Sequence, residues 1–187
     1  MAANRYVAVL DACVLYPAPL RDLLLSLASS GLYQARWTRT IQDEWIGNLL
    51  RHRPDLQPEA LNRTAALMSK AIEDCLIENF EHLIDTITLP DPGDRHVIAA
   101  AIASEADAIV TFNIKDFAGI PEITVQHPDD FLVSRFSYDE TTALAAIRDL
   151  RQRLRSPPKT SHQLLATYER QGLPRFSRIL QRKIHRL

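Results

Sequence analysis

The chain has 187 residues, 46% hydrophobic and 24% charged, a balance that suits one sizeable globular domain with room for a small appendage. No apolar run approaches the roughly 20 residues of a membrane helix, and no apolar leader follows Met1-Ala2-Ala3-Asn4-Arg5, so no membrane association and a cytoplasmic location are expected. The net charge of −1 hides an asymmetry: residues 148–187 hold 11 Lys+Arg against Asp149 and Glu169, a net +9, while residues 1–147 carry −10.

In chain order, Tyr6-Val7-Ala8-Val9-Leu10 reads as one fully buried strand, apolar on successive positions as in the middle of a parallel sheet. It closes on Asp11. Ligand sites in such sheets lie outside the carboxyl ends of the strands, although an acid there also suits the cap of a following helix. Cys13 and Cys75 form neither a metal motif nor a disulfide framework, and Cys13 reads as a small buried side chain. Ala18 to Leu32 carries Leu20, Leu23, Leu24, Leu27 and Ala28 at helical spacing, with Gly31 as the stop.

Leu32 to Trp37 is a short strand candidate. Thr40-Ile41-Gln42-Asp43 opens a second helix, with Thr40 as cap and Asp43 in the first turn. Ile41, Trp45 and Leu49 face inward, and Glu44 lies at the edge of that stripe. A longer helix is predicted over residues 58–79, and Ile84 to Leu89 alternates like a strand. After the turn Pro90-Asp91-Pro92-Gly93, a helix from Asp94 to Glu105 carries alanines that permit close packing on a sheet. Ala108-Ile109-Val110 is a second buried strand, followed by Thr111-Phe112-Asn113-Ile114-Lys115-Asp116-Phe117 and a short strand at Ile123-Thr124-Val125. The alternation predicts an α/β fold with a mainly parallel sheet.

The character changes near Ser137. Ser137-Tyr138-Asp139-Glu140 and Thr160-Ser161-His162-Gln163 both have the capping-box pattern, each opening a helix. Residues 175–187 give a last basic helix. The division expected is therefore 1–134 for the α/β domain and 135–187 for a helical, basic C-terminal extension. A basic segment of this kind suits the nucleic-acid backbone, and equally a solvated helical face.

Four acids occupy comparable places: Asp11 ends a strand, Glu44 sits early in a helix, Asp94 follows a turn, and Asp116 lies just past the second buried strand. Gathered at one sheet edge, they would repel each other unless a cation neutralised them. Oxygen donors suit Mg²⁺ or Mn²⁺, ions that activate water for displacement at phosphorus. Asn113 offers a neutral oxygen ligand, and the Thr111 hydroxyl can orient a carboxylate.

These segments resemble the PIN-domain ribonucleases, and within them the VapC-type toxins of toxin–antitoxin pairs. The resemblance rests on Val9-Leu10-Asp11-Ala12-Cys13-Val14-Leu15, Asp43-Glu44-Trp45, the run Asp91 to Ala101, and Val110 to Phe117, and spans roughly residues 5–133. It implies a PIN-like α/β/α sandwich and a Mg²⁺- or Mn²⁺-dependent endoribonuclease with Asp11, Glu44, Asp94 and Asp116 as catalytic and metal-binding acids and Asn113 as a further metal ligand. Many relatives have an acid where this chain has Asn113, so Asp116 is expected to supply the fourth carboxylate. Asp43 is the rival to Glu44.

Thr111, Arg95, His96, Arg151, Arg155 and Arg182 are expected at the RNA. A cognate antitoxin and a homodimer are implied by the resemblance alone. The alternative is a catalytically silent PIN-fold RNA-binding or regulatory module. A haloacid-dehalogenase-type phosphatase is excluded, because Asp11-Ala12-Cys13-Val14-Leu15 lacks the second acid and the threonine. A receiver domain is excluded because Asp11 stands alone and no middle strand ends in aspartate.

Overall fold

The computed structural model describes residues 6–117 and 123–187. The Met1–Arg5 lead lies outside the described residues. Four parallel strands form the centre: β1 (Val7–Leu10), β2 (Gln34–Arg36), β3 (Ala108–Val110) and β4 (Thr124–Gln126), in the order β2-β1-β3-β4. The register pairs Val9 with Arg36 on one side and with Ile109 on the other. β1 therefore lies inside the sheet, which is why Ala8, Val9 and Leu10 are apolar in succession and have no exposure. The order reverses between β1 and β3, and that switch point opens a crevice at their carboxyl ends.

Helices cover both faces. α1 (Ala12–Leu15) is a single turn whose N-cap is Asp11, and α2 (Ala18–Ser29) buries Leu20, Leu23, Leu24 and Leu27. α3 (Arg39–His52) is capped by Thr38, whose hydroxyl accepts from the Ile41 N–H at 3.1 Å. The expected cap at Thr40 is thus two residues late, and Asp43 falls beyond the first turn, exposed on the outer face. α4 (Pro58–Ala71) ends well before residue 79, because the chain turns out at Ile72 and takes positive φ at Asp74 and Asn79.

The strand expected over 84–89 does not form. α5 (Glu81–Ile84) occupies its start, and Ile87 and Leu89 are buried without joining the sheet. A 3-10 turn at Pro92–Asp94 leads into α6 (Arg95–Ala103), one residue later than the predicted start. Val97 to Ala101 of α6 are buried against β1 and β3.

The extension is continuous with this core. α7 (Pro128–Tyr138) runs through Ser137, so the helix cap expected there is displaced: α8 (Glu140–Arg153) starts from Asp139, whose carboxylate accepts from the Thr142 N–H at 3.0 Å. α9 (Ser161–Arg170) has the complete Thr160/Gln163 capping box. α10 (Pro174–Gln181) is shorter than the predicted 175–187 helix, with a 3-10 turn at Ile184–Arg186 after it. α8 packs along α2, and α10 packs on α7 and α9. Leu144, Ile147, Leu164, Tyr168, Phe176 and Leu180 join the same apolar core as the sheet. Each such side chain contributes about 1.5–3 kcal/mol when buried, so together they fix these helices in place.

A buried acid completes the joint. Asp129, in the first turn of α7 and 4% exposed, accepts from the Arg175 N–H at 2.9 Å and the Phe176 N–H at 2.8 Å. It serves α10 as an N-cap delivered from another helix, since α10 has no side-chain cap of its own. Among the described residues, no helix is long and apolar enough to cross a membrane.

Candidate active site

The carboxyl ends of β1 and β3 bring Asp11 and Thr111 together. The Asp11 backbone N–H donates to the Val110 carbonyl at 3.1 Å, carrying the ladder one step past the strands. The Thr111 hydroxyl then donates to Asp11 Oδ2 at 2.7 Å, and the Cys13 thiol reaches the same oxygen at 3.0 Å. Asp11 Oδ1 accepts from the Ala12 N–H at 2.6 Å. The carboxylate is 7% exposed and held by all three groups, so the capping role and the site role belong to one residue.

Thr111 itself is fully buried, and its oxygen also accepts from the Asn113 N–H at 3.0 Å. Its hydroxyl therefore faces Asp11, whereas its expected place was among the substrate contacts. Cys13 accepts from the Phe112 N–H at 3.3 Å, and burial followed by the Asp11 charge pushes its thiol up to about 12. It therefore stays protonated and serves as a donor to Asp11.

Asp11, Glu44, Asp94 and Asn113 line one open cleft of about 580 Å³. Glu44 reaches it from α3, where Ile41 and Trp45 are turned into the core. Its Oε1 lies 2.9 Å from His96 Nε2. His96 is 8% exposed, with Nδ1 buried and without a hydrogen-bond partner among the described residues. This burial puts His96 beside Glu44, whereas a substrate contact was expected of it. Half-buried Arg95 donates from Nε to the Pro92 carbonyl at 3.1 Å, which ties it to the turn before Asp94. Asp43 is outside the cleft wall.

Asp94 carries the electrostatic signature. Burial first, then the charges of Asp11, Asp91 and Asp116, push its carboxyl from 3.8 to about 6, with His96 pulling the other way. Asp116 is therefore close enough to act on Asp94 by charge, though it does not line the cleft. Asp91, whose carboxylate accepts from the Gly93 N–H at 2.8 Å, is a contributor that the sequence pattern did not single out. Also unforeseen were Tyr16, Asn48, Arg51 and His52, which form the far wall. Positions 44, 48, 51 and 52 follow helical spacing, so Glu44 pointed to them.

The donor chemistry fits a hard cation: three carboxylates and an amide oxygen share the cleft. Among the described residues, however, no three His, Cys, Asp or Glu side chains converge as a ready-made ligand set. That combination suits a hydrated ion held by one or two carboxylates, the usual manner of Mg²⁺, and not an all-protein cage. A groove of similar size, about 590 Å³, runs between α2 and α8 and contains none of these acids.

Comparison with known proteins agrees with the geometry. Residues 128–182 match the family model described as VapC50 C-terminal domain. A curated relative, "Putative ribonuclease VapC50" of Mycobacterium tuberculosis (strain ATCC 25618 / H37Rv), is 38% identical over 88 residues, covering 45% of this chain and 52% of that protein. The chain thus spans about half the length of the curated relative it matches. No solved structure matches it. Residues 7–115, more than half of the chain and including Asp11, Glu44, Asp94 and Asn113, match the PIN domain family model, and the chain belongs to the PIN domain family.

Proposed function

We propose that this protein is a divalent-metal-dependent endoribonuclease, acting as the toxin of a toxin–antitoxin pair. The observation that carries this reading is Asp94: burial first, and then the neighbouring acids, raise its carboxyl in a cleft at the sheet's carboxyl edge, and charges so arranged are at odds with folding unless a cation joins them. The ribonuclease name of the similar protein supports the substrate class. Asp11, Asp94 and Asp116 are assigned to Mg²⁺ or Mn²⁺, directly or through water, with Glu44 and Asn113 completing the oxygen donors.

A divalent ion in this cleft supplies charge neutralisation at the phosphate and an activated water. The chain's own residues supply orientation. Thr111 and Cys13 hold Asp11 Oδ2 in place. His96 holds Glu44 at the mouth of the cleft, where its carboxylate orients the attacking water. The nuclease part is assigned to residues 1–134 and the basic helical part to 135–187, with α7 as the joint. Arg155 and Arg182, both exposed, are assigned to the RNA backbone, and Arg151 more weakly, since its guanidinium already donates to the Lys159 carbonyl at 3.2 Å. A cytoplasmic location, a homodimer and a cognate antitoxin complete the proposal.

The test is cleavage of single-stranded RNA by the full chain with Mg²⁺, Mn²⁺ or chelator. Metal-dependent cleavage is expected, with Asp11→Asn and Asp94→Asn each reducing it by more than about 100-fold and Asp43→Asn leaving it within about twofold. RNA binding without cleavage in any divalent ion would replace this reading with the silent-module one.

A further inference from the structure

The cleft that holds the acids has a second wall of opposite character. Tyr16 follows α1, and Asn48, Arg51 and His52 lie one and two turns beyond Glu44 on α3. The Tyr16 and His52 rings meet edge to face at 5.9 Å, and the Tyr16 hydroxyl lies 3.2 Å from His52 Nδ1. This pair is only partly buried, so ring surface remains open to the cleft. Arg51 is exposed, and its guanidinium is hydrogen-bonded to the Asn48 side-chain oxygen, a neutral partner. The contrast with its neighbour is informative: Arg53 is neutralised by both oxygens of Asp55, at 2.8 and 2.7 Å.

A cation at the last turn of α3 complements the helix dipole. The dipole does not account for an uncompensated cation and an open aromatic pair lining the same cleft as the acids. An aromatic face beside a free guanidinium is the recurring chemistry of single-stranded nucleic-acid binding: the ring stacks a base and the cation meets a phosphate. We propose that Tyr16, Asn48, Arg51 and His52 form a substrate subsite for one unpaired nucleotide adjoining the scissile phosphate, with its base on the Tyr16–His52 pair and its phosphate on Arg51. This rests on the nuclease reading above and deepens it, because a base can reach that wall only if it is unstacked. The enzyme therefore selects single-stranded RNA at its own cleft, apart from any contribution of the basic extension.

The experiment uses the full chain. Binding of a fluorescent single-stranded RNA oligonucleotide is measured by anisotropy in the cleavage-silent Asp94→Asn background, and KM and kcat are measured in the otherwise native chain. Arg51→Gln and Tyr16→Leu each weaken binding about tenfold and raise KM with kcat within about twofold. Arg51→Gln also flattens the salt dependence by about 0.7 in log–log slope, whereas Arg63→Gln on α4 changes neither quantity. Thermal melting of each variant separates lost binding from lost fold, and Arg51, exposed and with no charged partner among the described residues, provides the variant that does not threaten the fold.

Parental affinity and KM in both Arg51→Gln and Tyr16→Leu overturn the subsite. So does equal affinity of the parent for a blunt RNA duplex. In either case the native chain still cleaves RNA. If the native chain cleaves nothing in Mg²⁺ or Mn²⁺, the nuclease reading is what has failed.

Discussion

The acidic cleft and the basic extension carry charge in opposite ways. In the cleft, burial first and then like charges facing one another raise the Asp94 carboxyl. In the extension, much of the positive charge already has a partner. Arg175 pairs with Asp130, while Lys183 and Arg186 lie 3.0 and 2.9 Å from Glu140. Arg153 donates to the Ser26 hydroxyl at 3.1 Å and Arg151 to the Lys159 carbonyl. Net charge alone made the two regions mirror images. Partnering separates them: the cleft stores unrelieved repulsion that a cation can release, whereas several extension cations serve to dock helices.

The contrast can be broken most forcefully at Thr111. Thr111→Val removes the 2.7 Å donor to Asp11 and the acceptor of the Asn113 N–H. An outer-shell loss of this kind costs roughly 10–100-fold in metal affinity or turnover, and Thr111→Ser should restore most of it. Metal titration followed by cleavage kinetics provides the check, and wild-type kinetics in Thr111→Val would deny that Asp11 needs orienting.

A second break is made at the joint. Asp129→Ala should lower stability by about 2 kcal/mol, because the Arg175 and Phe176 N–H groups lose their cap. Cleavage at a temperature where the variant is folded should be nearly unchanged. Urea denaturation measures the first effect, and a large drop in kcat would show that the two regions are not separable in this way.

A gentler test uses pH. Asp94 holds its proton up to about pH 6 in the folded chain and to about 3.9 when unfolded. The folded state therefore binds more protons between these values, and stability falls as pH rises through that window. Asp94→Asn should raise Tm by about 2 °C at pH 7.5 in chelator, with the gain vanishing below about pH 4. A lower Tm at pH 7.5 would mean that the Asp94 charge is already compensated. The smallest effect is expected at the extension's free cations: Arg155→Gln with Arg182→Gln should flatten the salt slope of RNA binding by at most about 1.4, or 0.7 per phosphate. An unchanged slope would leave those arginines as solvated surface.

Much of this architecture could be read from the chain because it rests on local patterns. β1 and β3 are apolar in succession because they are inner strands, and the acids follow their ends. Errors arose where two local signals competed. Thr38 and Thr40 both lie where α3 begins, and only the structure shows that Thr38 supplies the cap and Thr40 is already helical. Ile87 and Leu89 alternate with polar residues as a strand would, yet they bury against the core without a ladder partner. Ser137 fits a capping box, but α7 runs through it and Asp139 takes over.

The cleft gathers Asp11, Glu44, Asp94 and Asn113, which the chain pattern placed after a strand, early in a helix, after a turn and past a second strand. The pairing of Glu44 with His96 and the burial of Thr111 depend on contacts across 52 and 100 positions of chain, which no local pattern encodes.

The turn between α9 and α10 has a further consequence. Gly172 sits there at φ +79°, and a side chain at that position would meet the Phe112 ring at 3.4 Å. Phe112 in turn packs edge to face on His127 at 5.1 Å and donates its N–H to Cys13 beside Asp11. A short chain of contacts thus runs from the extension to the cleft. Gly172→Ala would therefore both strain the turn, which needs positive φ, and press on Phe112, the residue whose N–H is donated to Cys13 beside Asp11.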